Sequence, residues 1–145
     1  MRIAIGADHG GVDYKDHVAK RLREAGHDVE DVGTQGSSSV DYPDFGAAVA
    51  RRVQAGEAER GLLFCTTGQG MAMTANKFDG VRAGVVADPF SAQMIVAHNN
   101  ASVCCVGAGI VGLKVADQIV DAFLGAEFEG GRHARRVGKI EAATP

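Results

Sequence analysis

The stretch CVGAGIVG, Cys105 to Gly112, decides how this chain is read. Gly107, Gly109 and Gly112 stand in G-x-G-x-x-G spacing, directly after an apolar run. That spacing either cradles the pyrophosphate of a dinucleotide or lets a strand turn tightly into a helix. The dinucleotide fingerprint needs a βαβ unit and an acidic residue about 20 positions on, at the end of the next strand. Glu127 and Glu129 lie at about that distance, but within GAEFEGGRH, between two helical segments with no strand after them. The fingerprint also usually opens the first strand of a sheet, whereas this one closes the last. The three glycines are read as a strand-to-helix turn.

The same junction recurs outward from that turn. RIAIGA is a short β-run at the start, followed by VDYKDHVAKRLREAG with Val18, Leu22 and Ala25 at helical spacing and Gly26 as its stop. HDVEDVG reads as a second strand, and the polar TQGSSSVDYPD as a loop. Pro43 suits the first turn of a helix that sets Phe45, Val49 and Val53 on one face. GLLFCTT is a buried strand, GQGMAMTANKF opens a helix, and VRAGVVA is the next strand. In DPFSAQMIVAHNN, Asp88 reads as an N-cap with proline after it. ASVCCVG is the fifth strand. VGLKVADQIVDAFLG is an amphipathic helix with Val115, Ile119 and Phe123 on one face, and GGRHARRVGKIEAA closes the chain as a basic helix. Five strands alternating with helices predict an α/β fold: a parallel sheet covered on both faces, with ligands at the carboxyl ends of the strands. With no linker or repeat, residues 1–145 are expected to form one domain.

Composition narrows the function classes. Charged residues are 23% of the chain and the formal charge is −3, so no general basic field invites nucleic acid. No apolar run reaches the roughly 18 residues of a membrane span, and the N-terminus is too short in apolar residues for a signal peptide. Cys65, Cys104 and Cys105 form no C-x-x-C pair, which fits a reducing cytoplasm. Twenty glycines, about twice the usual ~7%, imply tight turns and close backbone approaches.

The candidate chemistry gathers at one predicted edge. Asp8 and His9 follow strand one, Cys65 to Thr67 end strand three with Gly68 and Gly70 after them, and Asp88 follows strand four. Glycines opening a helix leave backbone N–H groups free for an anion. A cysteine beside such amides gains thiolate character and becomes a usable base or nucleophile, although a buried cysteine is as often plain core. Arg132 and Arg136, four apart on a helix, share one face and suit a phosphate, or are a solvated basic face with Arg135 and Lys139. His98 and Asn99 end the fourth helix. His9 and His98 lack the spacing of a metal pair, no Cys–His cluster exists, and His17 and His27 read as surface residues.

GADHGG, DYPDFG, CTTGQGMAMTANKF, FSAQMIVAHNN and FEGGRHARR, taken together and in this order, resemble the type B ribose-5-phosphate isomerases. That family includes the galactose-6-phosphate isomerase subunits, and the resemblance runs from Arg2 to about Ile140. It implies a Rossmann-like three-layer sandwich on a five-stranded parallel sheet, with the C-terminal helix at a subunit interface. It also implies a homodimer or dimer of dimers with shared active sites, a cytoplasmic sugar-phosphate substrate, and no cofactor or metal. By the same resemblance Cys65 is the base that moves a proton between C1 and C2 of an open-chain sugar. Thr67 and the amides around Gly68 and Gly70 hold the enediolate oxygen. Asp8 and His98 open the cyclic sugar, His9, Arg132 and Arg136 take the phosphate, and Tyr42 and Asn99 meet hydroxyls. Members without the cysteine carry a glutamate where this chain has Met71.

Two positions depart from the family pattern. Thr66 stands where a glycine usually follows the cysteine, and Gly109 where the turn usually carries a phosphate-binding arginine. These departures keep a tetrulose phosphate open as substrate beside ribose 5-phosphate. The glycine triplet and the basic last helix keep open a non-catalytic phosphosugar- or nucleotide-binding module.

Overall fold

The computed structural model describes residues 1–143; Thr144 and Pro145, the end of the expected domain, lie outside the described residues. The strands are β1 (Arg2–Ala7), β2 (Asp28–Asp31), β3 (Arg60–Cys65), β4 (Ala83–Val85) and β5 (Val103–Gly107). The helices are α1 (Val12–Glu24), α2 (Tyr42–Gln54), α3 (Gln69–Ala75), α4 (Pro89–Ala97), α5 (Leu113–Gly125) and α6 (Arg132–Glu141). The strands form one sheet in the order β2-β1-β3-β5-β4, every pair parallel.

Alternation within each strand builds the three layers, because successive side chains point to opposite faces. Ile3, Ile5, Leu62, Phe64, Cys104 and Val106 face one way and pack on Leu22 of α1, Val96 of α4 and Ile119 and Phe123 of α5. Ala4, Leu63, Cys65 and Cys105 face the other way and meet Val49 and Ala50 of α2 and Met71 and Ala75 of α3. Both faces are covered, so the central strands read as unbroken apolar runs. Among the described residues no helix is long and apolar enough to cross a membrane.

Several local signals act as read. Gly26 adopts φ +94° just past α1 and ends it. The Asp88 carboxylate accepts the Ser91 N–H at 2.7 Å at the start of α4. Other expectations are corrected. Ala25 is exposed, because α1 stops before it could reach the core. β4 spans only three residues, each half-buried, since an edge strand has one neighbour to pair with. The α3 helix ends at Ala75, well short of Phe78.

The most buried long side chain is a charged one that sequence reading did not single out. Lys15 has no solvent exposure, and its Nζ donates to Asp31 Oδ2 at 2.5 Å and Asp16 Oδ1 at 2.7 Å. The Asp31 Oδ1 accepts the Gly33 N–H at 2.8 Å, so this carboxylate ties α1 to the end of β2. Removing one member of a buried pair leaves the other charge without compensation, at a cost on the order of 3 kcal/mol. Asp31→Ala is therefore expected to lower Tm by roughly 6–12 °C for a chain of this size, since Asp16 is 57% exposed and compensates little. A melting curve within about 2 °C of wild type would contradict this assignment.

The connections from β1 and β3 leave on opposite faces, α1 on one and α3 on the other. Adjacent strands with diverging connections open a crevice at their carboxyl ends, where ligands bind in such sheets. Asp8 and Thr66 are the first residues beyond those two ends.

Candidate active site

A cleft of about 310 Å³ occupies that crevice, lined by Asp8, Tyr42, Cys65, Thr66, Thr67 and Gly70. Cys65 is the last residue of β3 and is 6% exposed. Its Sγ accepts the Gly68 N–H at 3.1 Å. Gly68 reaches this position with φ +83°, a left-handed conformation that a side chain would strain. This hydrogen bond occupies the Gly68 N–H within the chain. Cys104 and Cys105 are fully buried, and burial pushes both thiols far up, which leaves them inert.

The neighbouring groups supply donors. Thr67 Oγ1 accepts the Gln69 N–H at 3.3 Å, which leaves its own proton available to donate. The Gly70 N–H, in the first turn of α3, has no protein partner among the described residues. A Cβ at Gly70 would lie 2.2 Å from the Tyr42 ring, so only glycine lets Tyr42 close that wall. Asp8 is 7% exposed; its Oδ1 accepts the Gly10 N–H at 2.9 Å and its own N–H donates to the Phe64 carbonyl at 3.2 Å. The exposed His9 takes the Val40 N–H on Nδ1 at 3.2 Å, so the neutral ring carries its proton on Nε2.

The turn around Gly107, Gly109 and Gly112 packs on this loop. A Cβ at Gly107 would sit 2.8 Å from Thr67 Cα, and the Gly109 N–H donates to the Thr66 carbonyl at 2.9 Å. Gly112 is the N-cap of α5. Among the described residues no strand follows β5. The triplet is a strand-to-helix turn, close-packed at Gly107 and Gly109 and open at Gly112, and Gly109 lies against Thr66.

The remaining expected site residues stand elsewhere. Helix α4 leads from the carboxyl end of β4 back to the start of β5, so His98 and Asn99 lie at the amino edge of the sheet. The Asn99 carbonyl accepts from Arg82 Nε at 3.0 Å, just before β4 begins. The five residues of β5 put about 17 Å between that edge and the cleft. Asp8 and His98, expected to act together, are thus at opposite edges of one chain.

Around His98 lies a second cluster that includes two residues without an assigned role, Glu129 and His133. The His98 and His133 rings stack with centroids 4.2 Å apart and planes 6° from parallel. Glu129 places Oε2 3.8 Å from His98 Nε2 and Oε1 3.6 Å from His133 Nε2. His133 is 7% exposed and its Nε2 has no hydrogen-bond partner. Burial, followed by the charges of His98 and Arg132, holds its pKa below the ordinary histidine value. The three ligand-type atoms lie within 4.8 Å of one another. The lone pairs of stacked rings lie in separate, near-parallel planes, however, so they do not converge on one ion as tetrahedral coordination requires. Glu129, in the loop before α6, and His133, in its first turn, are four apart, a spacing visible in FEGGRHARR. On the same helix Arg132 and Arg136 are exposed, with no carboxylate partner among the described residues.

Comparison with known proteins supplies a context for this geometry. The Ribose/Galactose Isomerase family model matches residues 3–140. Ribose-5-phosphate isomerase B of Escherichia coli is 46% identical over 141 residues, covering 97% of this chain and 95% of that protein. D-erythrulose-4-phosphate isomerase of Pectobacterium atrosepticum is 40% identical over 142 residues, covering 97% and 93%. The structure of Clostridium thermocellum ribose-5-phosphate isomerase B superposes with a TM-score of 0.97 at 49% identity, covering 99% of this chain and 97% of that one.

Proposed function

We infer, for a chain that belongs to the Ribose/Galactose Isomerase family, that it interconverts an aldose phosphate and a ketose phosphate, ribose 5-phosphate and ribulose 5-phosphate first among them. The Cys65 thiolate takes the proton from C2 of the open-chain aldose. The electron pair moves into a C1–C2 double bond and O1 gains negative charge. Thr67 Oγ and the Gly70 N–H donate to that oxygen; one oriented donor of this kind contributes about 3–4 kcal/mol. Cys65 then returns its proton to C1, while the proton on O2 passes to O1, and the ketose results. Protons move within one molecule and no electron leaves it, so the chemistry calls for neither nicotinamide nor metal.

Asp8 and His98 open the cyclic sugar, and His9, Arg132 and Arg136 hold the phosphate, whose binding energy orients the reacting end. Tyr42 and Asn99 meet sugar hydroxyls. These residues come from both edges of the sheet, so one chain does not complete the site. A second copy that brings its His98, Asn99, Arg132 and Arg136 to this cleft does, with α6 at the interface, in a homodimer or dimer of dimers. Arg132 and Arg136, exposed and without a carboxylate partner among the described residues, support this assembly. Three free thiols suit a reducing, cytoplasmic setting.

The observation that carries the reading is the Gly68 N–H aimed at Cys65 Sγ inside a cleft that also holds Asp8 and Thr67. A second reading, D-erythrulose 4-phosphate as the preferred substrate, draws on the Pectobacterium atrosepticum relative and on Thr66 within the cleft. A panel of four- to six-carbon sugar phosphates in deuterated water, after exhaustive chelation and without nicotinamide, tests both. Ribose 5-phosphate is expected to exchange its C2 hydrogen and to turn over with the highest kcat/KM. A higher value for the four-carbon substrate selects the second reading. Silence across the whole panel leaves only a phosphosugar- or nucleotide-binding module and rejects the isomerase.

A further inference from the structure

Thr66 crosses the crevice between two glycines on separate turns. Its Oγ1 lies 2.5 Å from where a Cβ on Gly10 would stand, and that point is itself 3.3 Å from Asp8 Oδ1. Its Cγ2 lies 3.1 Å from where a Cβ on Gly109 would stand. One arm of the side chain therefore rests on the β1–α1 turn and the other on the β5–α5 turn. The Gly109 N–H, bonded to the Thr66 carbonyl at 2.9 Å, fixes the backbone beneath it. Thr66 is exposed to the cleft, and a β-branched residue flanked by both turns has few χ1 rotamers open to it, so it narrows the crevice as a bar and not as a movable flap. Neither glycine has a side chain that could shift to make room.

The bar lies where a substrate must pass. Cys65 fixes the reacting carbons at the end of β3, and His9 stands on the same turn as Gly10. A sugar chain running from the sulfur toward that turn goes over Thr66, which lines the cleft with Asp8 and Cys65. We propose that Thr66 limits the chain length of the sugar phosphate this site accepts. This rests on the isomerase reading above and adds the residue that sets its substrate range. The reacting end is untouched by the bar; only the span between C2 and the phosphate is restricted. Discrimination of this steric kind, one carbon unit against a rigid wall, amounts to about 10–200-fold.

The test compares wild type, Thr66→Gly and Thr66→Ser on four-, five- and six-carbon sugar phosphates, with a melting curve for each protein. Thr66→Gly removes both arms, and is expected to raise the kcat/KM ratio of six- to five-carbon and of five- to four-carbon substrates at least tenfold. Thr66→Ser keeps the hydroxyl arm, and is expected to fall between Thr66→Gly and wild type, carried mainly by KM. It also serves if the glycine variant does not fold. Ratios within about twofold of wild type in the folded variants overturn the proposal and leave the isomerase reading standing. So does loss of all turnover in folded variants, because a bar that only narrows the site is not needed for the chemistry. A wild-type protein silent on the whole panel overturns the isomerase reading and this proposal with it.

Discussion

Replacing Cys65 with serine is expected to lower kcat on ribose 5-phosphate by about 10²–10⁴-fold while leaving KM within a few-fold of wild type. A serine hydroxyl at the same place can still accept the Gly68 N–H, so the loop from Cys65 to Gly70 keeps its shape. What disappears is the sulfur proposed to take the proton from C2. A thiol ionises near pH 8.5, whereas an aliphatic hydroxyl ionises far above it. The interaction lost acts on the reacting proton alone, so the defect belongs in kcat and not in substrate binding. Steady-state kinetics with the melting curve as a control decide the matter. Cys104→Ser and Cys105→Ser supply the contrast. Both side chains are fully buried and un-ionised, so any effect they have is on stability. A Cys65→Ser protein that turns over within about threefold of wild type removes the thiolate from the mechanism, and with it the reason for reading Gly68 as its partner.

The second large effect concerns the two arginines on α6. Replacing both Arg132 and Arg136 with alanine is expected to cut kcat/KM by about 10²–10⁴-fold, because each charge-assisted hydrogen bond to a phosphate contributes roughly 1.5–3 kcal/mol. Stability is expected to change little, since both side chains are exposed and make no ion pair among the described residues. The informative step is to unfold and refold this variant together with Cys65→Ser in equal amounts. If each site takes its base from one copy and its phosphate ligands from another, a mixed dimer contains one intact site and one doubly defective site. Half of all dimers are mixed, so activity is expected to return to about a quarter of wild type. Sites confined to single chains give no recovery, because neither parent chain carries a complete set. That outcome would require His98, Arg132 and Arg136 to reach the cleft across the length of β5 within one molecule.

The glycine triplet shows how far local reading carries. The absence of a following strand already separates it from a dinucleotide site. Why Gly107 and Gly109 must be bare emerges only when β5 is laid beside β3, so that the two carboxyl-end loops press together at Thr66 and Thr67. The same holds for Lys15. A lysine at that point of an amphipathic helix reads as solvated, and only the docking of α1 beside β2 brings Asp31 to it and allows its burial. His133 was visible within its motif, but its stacking on His98 depends on where the loop before α6 returns to the end of α4.

Residue order alone determined what depends on short range: the periodicities, the stops and caps at Gly26 and Asp88, the alternation that makes the sheet parallel, and the placing of Asp8 and Cys65 at its carboxyl edge. Tertiary structure decided the order β2-β1-β3-β5-β4, hence the crevice between β1 and β3, the bar formed by Thr66, and the distance of His98 from Asp8. The division is physical. Helical and strand periods and capping bonds are set by neighbours a few residues apart, whereas strand order and inter-loop contact are set by packing between segments far apart in the chain, for which spacing carries no signal.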